Sequence, residues 1–170
     1  MTEGPNWEAA EEGSELLAEG RLDDAVAELT RVITEDPDNE YGYYFLGQAH
    51  YEKGDYPKAL KAYVRALELE PGYLGAMLGA GHTLRMMGQH DKALRMAKQA
   101  EARAKDDADV LFLLGVVHFQ RGDNEAARAY LTRFLETQPE VEVALEVEGM
   151  LQVIRGEIHE VPGASDGEES

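Results

Sequence analysis

Cysteine is absent from the chain. Without a thiol there is no disulfide, no thiolate-held metal, no cysteine nucleophile and no cysteine to carry a lipid anchor. Long apolar runs are missing too, since no segment approaches the roughly 18 residues that a membrane-crossing helix needs. The first residues, Met1 to Pro5, carry neither a basic stretch nor an apolar one, so no signal peptide is expected and the expected setting is cytoplasmic. Bases are scarce: 16 Lys and Arg stand against 34 Asp and Glu, a net charge of −18. Nucleic-acid binding requires a basic stripe to neutralise phosphates, and this surface would repel them. Neither nucleic acid nor membrane insertion is therefore expected.

The acidity is uneven. Residues 1–39 hold 12 acids and 2 bases, whereas residues 74–107 hold 4 acids and 6 bases. Excess acid raises solubility, and a basic partner is the functional reading of the same surplus.

What the chain does contain is a period. Between Glu40 and Tyr73 stand Tyr43, Leu46, Gly47, His50, Gly54, Tyr56, Ala59, Tyr63, Ala66 and Pro71. Thirty-four residues upstream, the same places hold Ala9, Glu12, Gly13, Leu16, Gly20, Leu22, Ala25, Leu29, Val32 and Pro37. One step downstream they hold Met77, Ala80, Gly81, Leu84, Gly88, His90, Ala93, Ala97, Ala100 and Lys105. Two steps downstream they hold Leu111, Leu114, Gly115, His118, Gly122, Asn124, Ala127, Leu131, Phe134 and Pro139. Two glycine places and one alanine place are filled identically in all four copies. Each copy reads as a helix, a tight glycine turn, a second helix and a stop. Small residues fall where two helices approach and large ones where the gap must be filled. Glu12 and Lys105 depart from the pattern, where leucine and proline would be usual.

This spacing resembles the tetratricopeptide repeat, a 34-residue helix-turn-helix unit. The resemblance implies an all-α fold, a right-handed superhelix of four helix pairs with a C-terminal capping helix. The units are 6–39, 40–73, 74–107 and 108–141. Helices are expected near Trp7–Glu19, Leu22–Glu35, 41–53, 56–69, 75–87, 90–104, 109–121 and 124–137, with Asp36 to Asn39 supplying caps. Residues 142–158 form the expected capping helix, whose apolar stripe runs Val143, Val147, Met150, Leu151, Ile154 and Ile158. Residues 1–5 should be loose and the acidic tail 159–170 disordered.

The resemblance also implies that the first helix of each repeat lines a concave groove. Carried onto this chain, the candidates are Tyr41, Tyr44, Phe45, Gln48 and Tyr51 in the second repeat. In the third they are Gly75, Leu78, Gly79, His82, Arg85 and Met86, and in the fourth Asp109, Phe112, Leu113, Val116 and Phe119. Trp7 falls on the same face in the first. Tyr43, Tyr56, Tyr63 and Phe134 read as core. An exposed apolar stretch of this kind marks a binding site, and the expected occupant is a peptide or amphipathic helix of a partner protein. Gly75 and Gly79, four apart on one helical face, read either as a shallow floor for the partner or as close packing against a neighbouring helix. On the floor reading, Gly79→Leu should abolish binding and leave helicity intact.

Carboxylate-clamp members of the family hold acidic chaperone tails with lysine, asparagine and arginine. The matching places here, among them Ala10, Ser14, Phe45, Tyr44, Gln48 and Gly79, hold no base, so that specialisation is absent. Small type III secretion chaperones that cradle apolar segments are similar in length, acidity and groove character. Enzyme chemistry has little to build on. His50 and His118 share one repeat place and read as core spacers, and no histidine pair shows the zinc-protease spacing. Only His82 beside Arg85 offers a catalytic or small-ligand alternative. No metal or cofactor is expected. Self-association through the groove or the C-terminal helix is the alternative within binding proteins.

Overall fold

Four glycines, at the same place in each copy, turn the chain between paired helices. Gly20, Gly54, Gly88 and Gly122 have φ of 75°, 78°, 73° and 80°. There a side chain's Cβ would crowd the backbone, so glycine ends a helix cheaply. The protein is described by a computed structural model covering residues 4–156, and among these every regular element is an α-helix. In order they are α1 (Pro5–Ala18), α2 (Leu22–Glu35), α3 (Glu40–Glu52), α4 (Tyr56–Leu69), α5 (Leu74–Met86), α6 (His90–Arg103), α7 (Ala108–Arg121), α8 (Asn124–Glu136) and α9 (Val141–Arg155). Helix α1 starts earlier than the pattern predicts, because Pro5 occupies a first-turn position where its missing N–H costs nothing. Helix α9 is described as far as Arg155, with Gly156 at φ 76° as its cap. Residues 1–3 and 157–170, which include Ile158 of the expected capping helix and the tail 159–170, lie outside the described residues.

The chain divides into two compact units, one ending at Ala104 and the next beginning at Lys105. The junction falls where lysine replaces the expected proline. In the first unit α1 packs on α2, α3 on α4 and α5 on α6, while α3 also meets both α1 and α5. In the second, α7 packs on α8 and α8 on α9.

Large-against-small packing holds each pair together. A Cβ built on Gly13 would lie 2.4 Å from the Leu29 side chain, on Gly47 2.8 Å from the Tyr63 ring, and on Gly115 2.4 Å from Leu131. In the third pair alanine, Ala97, stands in the place of Leu29, Tyr63 and Leu131, and it is fully buried. Helix α2 shows the matching stripe, with Ala25, Leu29 and Val32 at helical spacing and all buried. Burying one leucine of this kind contributes about 2 kcal/mol. Glu12 stands exposed on α1, whereas Leu46, Ala80 and Leu114 in the same repeat place are buried. The carboxylate is tolerated because no helix covers that side of α1.

Candidate functional site

The loop before α3 is tied down first. Asn39 is fully buried. Its side chain accepts from the Gly42 backbone N–H at 2.9 Å and donates to the Asn6 carbonyl at 2.9 Å. This cap fixes the start of α3 and, through Asn6, the start of α1. The equivalent residue before α5 is Tyr73, which makes no side-chain cap. Its ring goes instead to Tyr44, with centroids 4.8 Å apart, and to Tyr41, at 5.9 Å.

Tyr73 completes a row that runs over α1, α3 and the start of α5. Trp7 meets Tyr41 edge-on at 5.4 Å and Phe45 at 5.5 Å. Phe45 lies 5.1 Å from Tyr44. Edge-on and tilted contacts are the favourable arrangements for aromatic rings. All five side chains keep partial exposure. Burial, with Tyr44 and Tyr41 nearby, pushes the Tyr73 hydroxyl well above its ordinary range. The Gln48 amide donates to the Tyr44 hydroxyl at 3.1 Å, which orients both candidates on one face.

Further along the same face stand Tyr51, His82, Arg85 and Met86. Tyr51 rests on Tyr56 at 5.4 Å. Burial raises its hydroxyl pKa and the Arg85 charge opposes that rise. Enclosure by neighbouring atoms, helped by Arg85, holds the His82 imidazole down to about 4. His82 is therefore neutral near pH 7. The Arg85 Nε is buried with no acceptor within reach among the described residues. Met86 is 44% exposed. Leu78 stays partly exposed.

The two glycines belong to packing. A Cβ on Gly75 would lie 3.0 Å from the Tyr44 ring, and one on Gly79 would lie 2.4 Å from the Tyr63 ring. The space left by the missing methyl groups is already filled by tyrosines of the preceding repeat. The open floor is corrected accordingly.

The second unit brings Asp109, Phe112, Val116 and Phe119 onto α7. Val116 is 1% exposed, enclosed in a core with Leu131, Val147 and Met150, and no partner can reach it. Leu113 is fully buried. Phe112 leans on Phe134 at 5.1 Å, and Phe119 packs partly against the same core. Only Asp109 is exposed, its carboxyl raised by partial burial and by Asp107. Helices α8 and α9 cover Phe112, Val116 and Phe119, because their apolar faces settle where an open face was expected. Two core readings are also adjusted. Tyr63 and Phe134 are buried, but Tyr43 and Tyr56 are only partly so. His118 is a buried spacer stacked on Tyr130, with its Nδ1 3.2 Å from Asp123, while His50 is only half-buried.

Sequence reasoning missed Tyr73 as a member of the row. The available signal was an aromatic in a place where the other copies hold the capping residues Asn39 and Asp107. Among the described residues no cluster of His, Asp and Glu is placed to hold a metal, and no helix is long and apolar enough to cross a membrane.

Comparison with known proteins points one way. A family model described as the cytochrome c-type biogenesis protein H TPR domain matches residues 9–142. The protein CTR9 homolog of Arabidopsis thaliana is 32% identical over 136 residues, covering 78% of this chain and 12% of that protein. The chain thus spans a small part of the curated relatives it matches. Among solved structures, MamA residues 41-end from Desulfovibrio magneticus RS-1 superposes with a TM-score of 0.75 at 21% identity, over 91% of this chain and 88% of that one. The second TPR domain of human RPAP3, solved in complex with the HSP70 peptide SGPTIEEVD, gives 0.62 at 18% identity, over 66% and 94%. At these identities the structures establish the fold alone.

Proposed function

The chain belongs to the tetratricopeptide-repeat family, in the form described as the cytochrome c-type biogenesis protein H TPR domain, and from that premise we propose that its first unit binds a segment of a partner protein along the face made by α1, α3 and α5. Proteins of this fold serve as platforms for other proteins, and the RPAP3 domain, solved with a bound peptide, is one instance.

One observation carries the reading: the row Trp7, Tyr41, Phe45, Tyr44 and Tyr73 keeps rings partly exposed along the first helices of three successive repeats. Rigid aromatic bodies with polar tips anchor partners at low entropic cost. Gln48, Tyr51, Leu78, His82, Arg85 and Met86 extend the face. The occupant is a short peptide or an amphipathic helix carrying apolar side chains. Exposed Glu8, Glu11, Glu12 and Glu15 along α1 favour a basic segment and hasten its encounter. Binding, not catalysis, is the activity proposed, in a cytoplasmic setting.

A photo-crosslinking residue in place of Met86, set against one in place of exposed Glu19, tests it in the native cell. A discrete protein adduct from position 86 alone is expected. Equal adducts from both positions, or none from either, would overturn the reading.

A further inference from the structure

A second surface of the first unit lies apart from that face, on α4 and the helices beside it. Ile33, Leu46, Leu60 and Val64 line a depression of about 790 Å³. Its lining carries Lys58, Lys61 and Arg65 with one acid, Glu68, while Asp38, outside the lining, also reaches Arg65 at 3.8 Å. The three cations recur at spacings of three and four residues, so they share one stripe of α4. Arg65 is engaged by Glu68 and by the Tyr43 ring, and Lys58 by Asp55. Lys61 is exposed and makes no ion pair among the described residues. In a chain with 34 acids and 16 bases, an apolar hollow edged by bases stands out as a place for an acidic guest.

The complementary surface exists on the same polypeptide. Helix α9 buries one face in its core and leaves Val141 74% and Leu145 62% exposed on the other. These two lie four residues apart and so stack on one face, flanked by exposed Glu142, Glu146 and Glu148. None of the three glutamates makes an ion pair among the described residues. Four large apolar side chains stand exposed among the described residues: Val64, Met86, Val141 and Leu145. Three of them fall on these two surfaces. Apolar residues left in water at such exposure mark an interaction site.

We infer that α9 of one copy docks in the basic-rimmed hollow of a second copy, with Val141 and Leu145 on the apolar floor and the glutamates against Lys58, Lys61 and Arg65. The two surfaces differ, so the contact is heterologous, and each copy offers one surface of each kind.

Sedimentation of the full chain over a wide concentration range tests this, with circular dichroism to check folding. The wild-type chain should grow in mass with concentration. Leu145→Lys spoils the guest helix and keeps the hollow, whereas Lys61→Glu spoils the hollow and keeps the helix. Both positions are exposed, so both variants should fold. Each alone should associate about tenfold more weakly or worse. Mixed together, they should form a one-to-one complex that stops there, since only one good end of each remains. A wild-type chain that stays monomeric, single variants that associate as the wild type does, or a mixture that stays monomeric would each overturn the inference.

Discussion

Gly79 shows how a single missing methyl group can serve packing while lying on the face proposed for binding. The Tyr63 ring fills the place of its absent Cβ, so any side chain there must displace a tyrosine that is 3% exposed. Gly79→Leu should therefore destabilise the first unit by about 1–3 kcal/mol, the usual cost of overpacking. Thermal unfolding should show a lower midpoint, in place of the unchanged fold expected from sequence. His82 makes a second residue-scale case. Its imidazole is held at about 4 by burial, against an ordinary value of 6.5. Between those values the unfolded chain binds a proton that the folded chain refuses, so stability falls as pH drops from 6.5 towards 4. Glu28, held low by Arg31, and Asp123, held low by Arg121, lose their contribution only below their ordinary values of 4.5 and 3.8, so they extend the acid limb beyond the His82 window. Unfolding midpoints measured across that window should fall less steeply for His82→Gln than for the wild type.

At the scale of the element, α9 decides the character of the second unit. The aliphatic places of α7 were legible as apolar, but a repeat pattern says only that a residue is large and oily. It does not say which neighbour covers it. Val116 and Val147 meet in one core, at 1% and 0% exposure, so α9 acts as the missing first helix of a further pair. Val147→Asp would place a charge there without a partner and should cost about 3 kcal/mol or more. Loss of helical signal beyond that of α9 itself, followed by circular dichroism in denaturant, would show that α7 and α8 depend on it. Its outer face needs no such cover to keep the fold, which leaves Val141 and Leu145 free for the contact inferred above.

For the whole molecule, charge is the property that acts at a distance. The net charge of −18 is concentrated before residue 40 and in the tail. A basic segment approaching α1 should associate quickly at low salt and more slowly as salt screens the field. Association rates that do not change with ionic strength would remove electrostatic steering from the account. The whole-molecule scale is also where the sequence-based groove divides, because the candidates before Ala104 and those after Lys105 sit in separate compact units. The proposed binding face is accordingly confined to α1, α3 and α5.

Helix boundaries, glycine turns and the identity of the pairs were readable from residue order, because each depends on contacts within one repeat. Left-handed turns need glycine, and a helix pair this close needs a small residue opposite a large one. Which aromatics remain within a partner's reach was not readable. Tyr73 joined the row, Val116 left the surface, and Tyr44 and Tyr63 closed the gaps above Gly75 and Gly79. Those outcomes depend on which side chain from a neighbouring repeat or from α9 fills a given space, and only the assembled tertiary structure decides that competition.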